Sequence, residues 1–309
     1  MFGGGLRHFI PQGQTGSVRT DNIDVLTNAA ELGYTVSLDR ASFDSILPVK
    51  GSFPVLGLYA LSDLDFELDR NPATQPSLVE MAEKALGMLL DATKGTTTGF
   101  FIMIEGSRID HAAHANDAAA HYGDIEMYQQ TVDMVKRFVD ANADTMMISV
   151  SDHECGGLTV GRGNGYIADY LWYPEVLDGV KSSTGVVSKT LRSYMGNPNQ
   201  TEEYVAEVLA TSLGIVDGTA EEMSAILVQM TSTNSTAEQY LTYQLSGMIN
   251  TRALLGWTTY GHTAVDVNLY AYGTYSGMLR GNVENTEIGE FIVEALGLDL
   301  QDVVLDANL

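Results

Sequence analysis

Apolar residues along the first half of the chain switch between two periods. From Asp21 to Gly33 they fall at Ile23, Leu26, Ala30 and Leu32, which predicts a helix capped by Asp21 and stopped by Gly33. Phe53 to Ala60 is a short, continuous apolar run bounded by Gly and Ser, the pattern of a buried strand. Pro76 to Thr93 returns to helical spacing through Leu78, Met81, Ala82, Ala85, Leu86 and Leu89, with Pro76 in the first turn. The run Gly99-Phe-Phe-Ile-Met-Ile-Glu105 follows a Thr-rich turn and is too short for a buried helix, so it predicts a central strand. His121 to Asn142 predicts a long helix, and Thr145 to Ser151 a second central strand. Apolar strands alternating with helices indicate an α/β chain whose central sheet is largely parallel and flanked by helices.

From about Gly161 the texture changes to loops and polar helices. Thr201 to Leu213 and Ala220 to Met230 are spaced as helices, and the stretch up to Asn250 is rich in Ser, Thr, Gln and Asn. Strand character returns at Ala264 to Ala271, and Glu287 to Leu296 predicts a last helix. The expected organisation is therefore a core over 1–160, an insertion over 161–255, and a return to the core over 256–309.

Composition narrows the function. Forty acidic residues against 16 basic ones leave a net charge of −24, which repels phosphate backbones and argues against a nucleic-acid partner. Hydrophobic residues at 45% and charged residues at 18% are an ordinary globular balance, which excludes low-complexity scaffolds. Cys155 is the only cysteine, so no internal disulfide and no zinc site built on cysteines is expected. No stretch approaches the roughly 18 apolar residues of a membrane span. The opening Met-Phe-Gly-Gly-Gly-Leu-Arg lacks a signal-peptide apolar core and reads as the middle of a domain. Asn199-Gln-Thr and Asn234-Ser-Thr match the glycosylation tripeptide.

Candidate chemistry concentrates in three places. In Glu105-Gly-Ser-Arg-Ile-Asp110-His111-Ala-Ala-His114, Glu105 ends a predicted strand, and Asp110 and His114 stand four apart. On a helical turn those two project from one face as half a metal site, although a surface ion pair uses the same spacing. Ile148-Ser-Val-Ser-Asp152-His153-Glu154 repeats the arrangement at the end of a second strand, before a Gly156-Gly157 turn. Carboxylates mixed with imidazoles suit zinc, with magnesium at the more carboxylate-rich position. His262, in Trp257-Thr-Thr-Tyr-Gly-His-Thr-Ala-Val-Asp266, can supply the third protein ligand that Asp110 and His114 lack. Arg108 and Arg162 are candidate anion holders.

These runs together resemble the alkaline phosphatase family, most closely its fungal vacuolar type. The resemblance rests on Phe100 to His114, Ser151 to Leu158 and Gly256 to Val267, and extends to Gly3-Gly-Gly5 and Asn71 to Met81. It implies an alkaline-phosphatase-like sandwich with a crown insertion over about 161–255. It also implies that Asp110, His114 and His262 bind one zinc, that Asp152 and His153 bind a second, and that Glu105 binds magnesium. His111 would lie near the phosphate. The implied activity is hydrolysis of phosphate monoesters through a phosphoserine, in a homodimer that is vacuolar, secreted or membrane-anchored. The family's Asp-Ser-Ala nucleophile unit precedes the Gly-Gly-Gly segment, and Asp44-Ser45 does not match its surroundings. The chain is thus expected to be the C-terminal portion, without nucleophile or targeting segment, binding about one zinc and turning over little. Two alternatives stay open: a non-catalytic metal-binding remnant, and a related phosphodiesterase or sulfatase.

Overall fold

The computed structural model describes residues 1–163 and 170–299. Strands β1 (Phe2–Gly3), β2 (Thr35–Ser37) and β3 (Val55–Leu58) form a parallel sheet in the order β1-β3-β2. All four residues of the middle strand β3 are buried, as a continuous apolar run requires. Helix α1 (Val25–Glu31) starts later than expected, because Asp24 accepts from the Thr27 N–H while Asp21 is drawn into a 2.7 Å ion pair with Arg19. The short helix α2 (Arg40–Ser45) follows β2. Helix α3 (Leu78–Thr93) opens on a reciprocal cap between Ser77 and Glu80, just after Pro76.

Helices α4 (Arg108–His114) and α5 (Ala118–Ala141) meet at a tight joint. Asp117 is buried there and caps α5 by accepting from the Ala120 N–H at 3.1 Å. Asn116 adopts a left-handed backbone, with φ 51°, to turn the chain between the two helices.

The later strands pair antiparallel. β4 (Met146–Val150) lies along β9 (Leu269–Gly273), β5 (Glu154–Cys155) along β8 (His262–Thr263), and β6 (Leu158–Val160) along β7 (Leu255–Trp257). The mixed α/β class holds, and among the described residues the parallel pairing lies in the first sheet. The expected strand over 99–105 does not form, since the segment has no strand partner. Strand character after Ala264 is delayed to Leu269, because Ala264, Val265 and Asp266 are exposed and unpaired.

Helices α6 (Glu175–Asp178), α7 (Thr184–Arg192), α8 (Thr201–Leu213), α9 (Ala220–Thr231) and α10 (Ala237–Ala253) pack around one apolar cluster centred on Leu191, Leu209, Ile226, Leu241 and Leu245. Val160 pairs with Leu255 across β6 and β7, so the two ends of this helical segment lie side by side. Asp117 ties the segment to α5 by accepting from the Thr184 N–H at 2.7 Å and its Oγ1–H at 2.8 Å. Helix α11 (Asn285–Leu296), capped by Glu284 and Glu287, is the last described element.

Candidate metal centre

Four residues apart on α4, Asp110 and His114 do project from one face, with Asp110 Oδ2 3.4 Å from His114 Nε2. The loop after β7 brings His262 to them across 148 residues of chain. Its Nε2 lies 3.1 Å from His114 Nε2 and 3.5 Å from Asp110 Oδ1. A tetrahedral zinc with ~2.0–2.1 Å bonds sets its donors about 3.3–3.4 Å apart. The two imidazole nitrogens, each beside a different oxygen of the Asp110 carboxylate, therefore stand close to the spacing one ion would impose on its donors.

The protonation pattern agrees. His114 Nδ1 sits 2.6 Å from the Tyr260 carbonyl, which fixes its proton there and leaves Nε2 as a lone pair facing His262. Asp110 Oδ1 is buried without a hydrogen-bond partner among the described residues, an orphan that an ion would satisfy.

Two glycines and an asparagine hold the loops in place. Gly156 has φ +88°, and a Cβ there would meet the Trp257 ring at 2.5 Å. Its N–H donates to the Gly261 carbonyl at 2.8 Å, which pins the residue before His262. With its amide oriented to satisfy both carbonyls, Asn116 donates to Ala113 at 2.9 Å and Thr259 at 3.0 Å, tying the end of α4 to the same loop. Tyr260 stacks on Tyr243 of α10 with ring centres 4.0 Å apart, so the helical segment braces the carbonyl that orients His114.

Cys155 joins the cluster, which sequence reasoning did not expect. Strand pairing sets it directly opposite His262, and its Sγ falls with the Asp110, His114 and His262 donors inside a 4.8 Å span. Burial pushes the thiol up to about 12, and its S–H donates to the Asp110 carbonyl at 3.7 Å. Its Sγ is thus a fourth potential donor beside the other three. The signal was its place two residues beyond His153.

The other expected ligands are less gathered. Asp152 Oδ2 is 3.4 Å from His153 Nε2, but the Asp152 side chain is 83% exposed. The His153 ring stacks on that of His262 with centres 3.6 Å apart, and its Nδ1 is buried without a partner. Glu105 is exposed and makes no hydrogen bond or ion pair among the described residues, and it is not drawn with Asp152 and His153 into a compact three-donor set. His111 is held away from the triangle: Arg108 Nη1 donates to its Nδ1 at 2.8 Å. Arg108 itself lies over the Phe66 ring at 3.7 Å and near Asp63, also at 3.7 Å, so its charge is already engaged. Among the described residues, the Arg162 side chain reaches only Thr251 Oγ1, at 3.5 Å. Ser45 donates to the Ser42 carbonyl within α2 and does not line the cavity described next.

Glu105, Asp110, His111, Asp152, His153 and Cys155 all border one cavity of about 2050 Å³. A sequence model of the alkaline phosphatase family matches residues 1–298. The chain belongs to that family. Among curated alkaline phosphatases, the Schizosaccharomyces pombe enzyme is 39% identical, over 98% of this chain and 56% of its own length. The repressible alkaline phosphatase of Saccharomyces cerevisiae is 36% identical, over 98% and 57%. The chain thus spans about half the length of the curated relatives it matches. Among solved structures, the Thermus thermophilus alkaline phosphatase superposes with a TM-score of 0.78 at 27% identity, over 96% of this chain and 62% of that one. The alkaline-phosphatase-like fold expected from the motifs is therefore the fold observed.

Proposed function

We propose that these residues form the metal-binding part of a phosphate monoester hydrolase, with zinc at Asp110, His114 and His262. The observation that carries this reading is the gathering of three donor residues, with His114 Nε2 and His262 Nε2 3.1 Å apart and 3.4 and 3.5 Å from the two Asp110 carboxylate oxygens, combined with membership of the alkaline phosphatase family. Asp152 and His153 would hold a second zinc, and Glu105 a magnesium, each completed by groups not among the donors described above.

A divalent ion in such a centre supplies Lewis acidity toward a phosphoryl oxygen. The chain's own residues do the rest. Asp110 would offer a carboxylate oxygen to the ion and offset part of its charge. Tyr260 keeps the His114 proton on Nδ1, so that Nε2 remains a donor. Arg108 donates to His111 Nδ1 and so holds that ring at the cavity wall. A site that grips the phosphoryl group rather than the leaving group accepts many monoesters. A homodimer, and a crown over 161–255 that shapes access, belong to the same reading.

The test combines stoichiometry with substrate choice. The purified chain should bind one zinc tightly and hydrolyse p-nitrophenyl phosphate slowly, in preference to bis-p-nitrophenyl phosphate and the sulfate ester. A diester preference would overturn the monoester assignment. Full activity that is lost in Ser45→Ala would overturn the placing of the nucleophile outside Asp44-Ser45.

A further inference from the structure

Two short ladders carry the chain past the donor cluster, and they are out of step. β6 and β7 pair Leu158 with Trp257, whereas β5 and β8 pair Cys155 with His262 and Glu154 with Thr263. Between them, residues 156 and 157 lie opposite the four residues 258–261. A bulge of that size stops one ladder from setting the register of the next. β5 and β8 are each two residues long, too short to hold their own alignment. The alignment matters, because a slip of one residue turns every side chain of a strand to its other face.

Successive side chains of a strand point to opposite faces, so the two cross-strand pairs face opposite ways. Cys155 and His262 lie on the face they share with Asp110 and His114. Glu154 and Thr263 lie on the other, and there the side chains bond directly. Thr263 Oγ1–H donates to Glu154 Oε2. The second carboxylate oxygen, Oε1, accepts from the Gly157 N–H at 2.8 Å, inside the bulge. Both donors are tied to one half-buried carboxylate, and hydrogen bonds to an ionised group are about twice as strong as those between neutral groups. His262 is therefore bracketed. Gly261 before it accepts from the Gly156 N–H, and Thr263 after it is held by Glu154. Neither Glu154 nor Thr263 belongs to the donor cluster itself.

We propose that Glu154 is a positioning residue. Its carboxylate locks the register of β5 against β8 through Thr263 and Gly157, and so fixes the face on which His262 meets Asp110 and His114. Its part in ion binding rests on the zinc reading above, whereas the lock itself does not. Glu154 acts at one remove from the ion, by holding a ligand rather than by being one. Losing a group that orients a metal ligand typically costs about 10–100-fold in affinity, less than losing the ligand.

Zinc competition and hydrogen exchange on the purified chain test it together. Glu154→Ala should weaken zinc binding by about 10–100-fold. Thr263→Val reaches the same bond from the other strand, keeping the side chain's shape without its hydroxyl, and should weaken binding by about tenfold. Thr263→Ser keeps the hydroxyl and should stay within about threefold of the parent. Because Glu154 acts through His262, Glu154→Ala should cost no more than about twofold further in a His262→Ala background. In the zinc-free protein, the Gly156 amide bonds to Gly261 and not to Glu154, yet it should exchange on the order of tenfold faster in Glu154→Ala. Full zinc affinity in Glu154→Ala and Thr263→Val, where His262→Ala loses it, would overturn the proposal and leave the metal reading standing. So would a Glu154→Ala loss that persists undiminished without His262. A parent chain that binds no zinc would overturn the metal reading and the ion-binding role given to Glu154. The Gly156 amide would still decide the lock, and unchanged exchange there would overturn it.

Discussion

Replacing His262 by Ala removes one corner of the donor triangle. The contacts among its three residues, 3.1 Å between the imidazoles and 3.4 and 3.5 Å to the two Asp110 oxygens, are already close to the spacing a zinc ion requires, so little rearrangement offsets the loss. Structural zinc held by four donors is worth about 10–16 kcal/mol, or roughly 2.5–4 kcal/mol per donor. His262→Ala should therefore weaken zinc binding by about 10²–10³-fold. His262 is exposed and joins β8 through its backbone, so the variant should fold, which far-ultraviolet circular dichroism checks. The assay is competition between the metal-stripped protein and a chromophoric chelator at neutral pH. His111→Ala is the control, because its Nδ1 is engaged by Arg108 and it contributes no edge to the triangle. Its zinc affinity should stay within about threefold of the parent. If His262→Ala also stayed within that margin, or if His111→Ala lost as much, the shared-ion reasoning would fail.

Asp117→Ala should destabilise the fold by about 3 kcal/mol in urea titrations, because it leaves the Ala120 and Thr184 N–H groups and the Thr184 hydroxyl buried and unbonded. Burial pushes the Asp124 carboxyl up to about 7, so the folded protein holds a proton that the unfolded chain has released. The sign follows: this contribution is complete below about pH 4 and is lost as the pH rises toward 7. Asp124→Asn should flatten that part of the stability profile by up to about 4 kcal/mol, and an unchanged profile would contradict it. Zinc at about 100 times its dissociation constant should raise stability by ~2.7 kcal/mol; a chelator should reverse the gain, and His114→Ala should show almost none.

Part of this site was legible in the sequence because its geometry is local. Asp110 and His114 are four residues apart, and the Ile109-Asp-His-Ala-Ala-His114 stretch does form the helix α4 that puts them together. His262 carries no local pattern that points to residues 148 positions away, so its place in the set rested on the need for a third protein ligand and on the resemblance to the family's motifs. The structure supplies the physical reason: β5 and β8 pair, and Gly156 pins Gly261. Cys155 was passed over because a single cysteine suggests no sulfur chemistry, whereas the pairing register sets it opposite His262.

The misplaced elements share a cause as well. The short apolar run over 99–105 suggested a central strand, but a strand needs a neighbour, and none of the described residues provides one. Helix α10 was hidden in a stretch rich in Ser, Thr, Gln and Asn. Two of its polar residues are buried because each finds a partner: Ser246 with Thr184 Oγ1 at 3.0 Å, and Asn250 Nδ2 donating to the Asn116 carbonyl at 2.8 Å. Such long-range partners are invisible to a local pattern.

Anomalous scattering at the zinc edge, from crystals of the chain grown with zinc, addresses the shared ion most directly. The account predicts one strong peak within about 2.0–2.1 Å of Asp110, His114 Nε2 and His262 Nε2 together. No peak at that point, or zinc bound with His262 outside its coordination sphere, would contradict it.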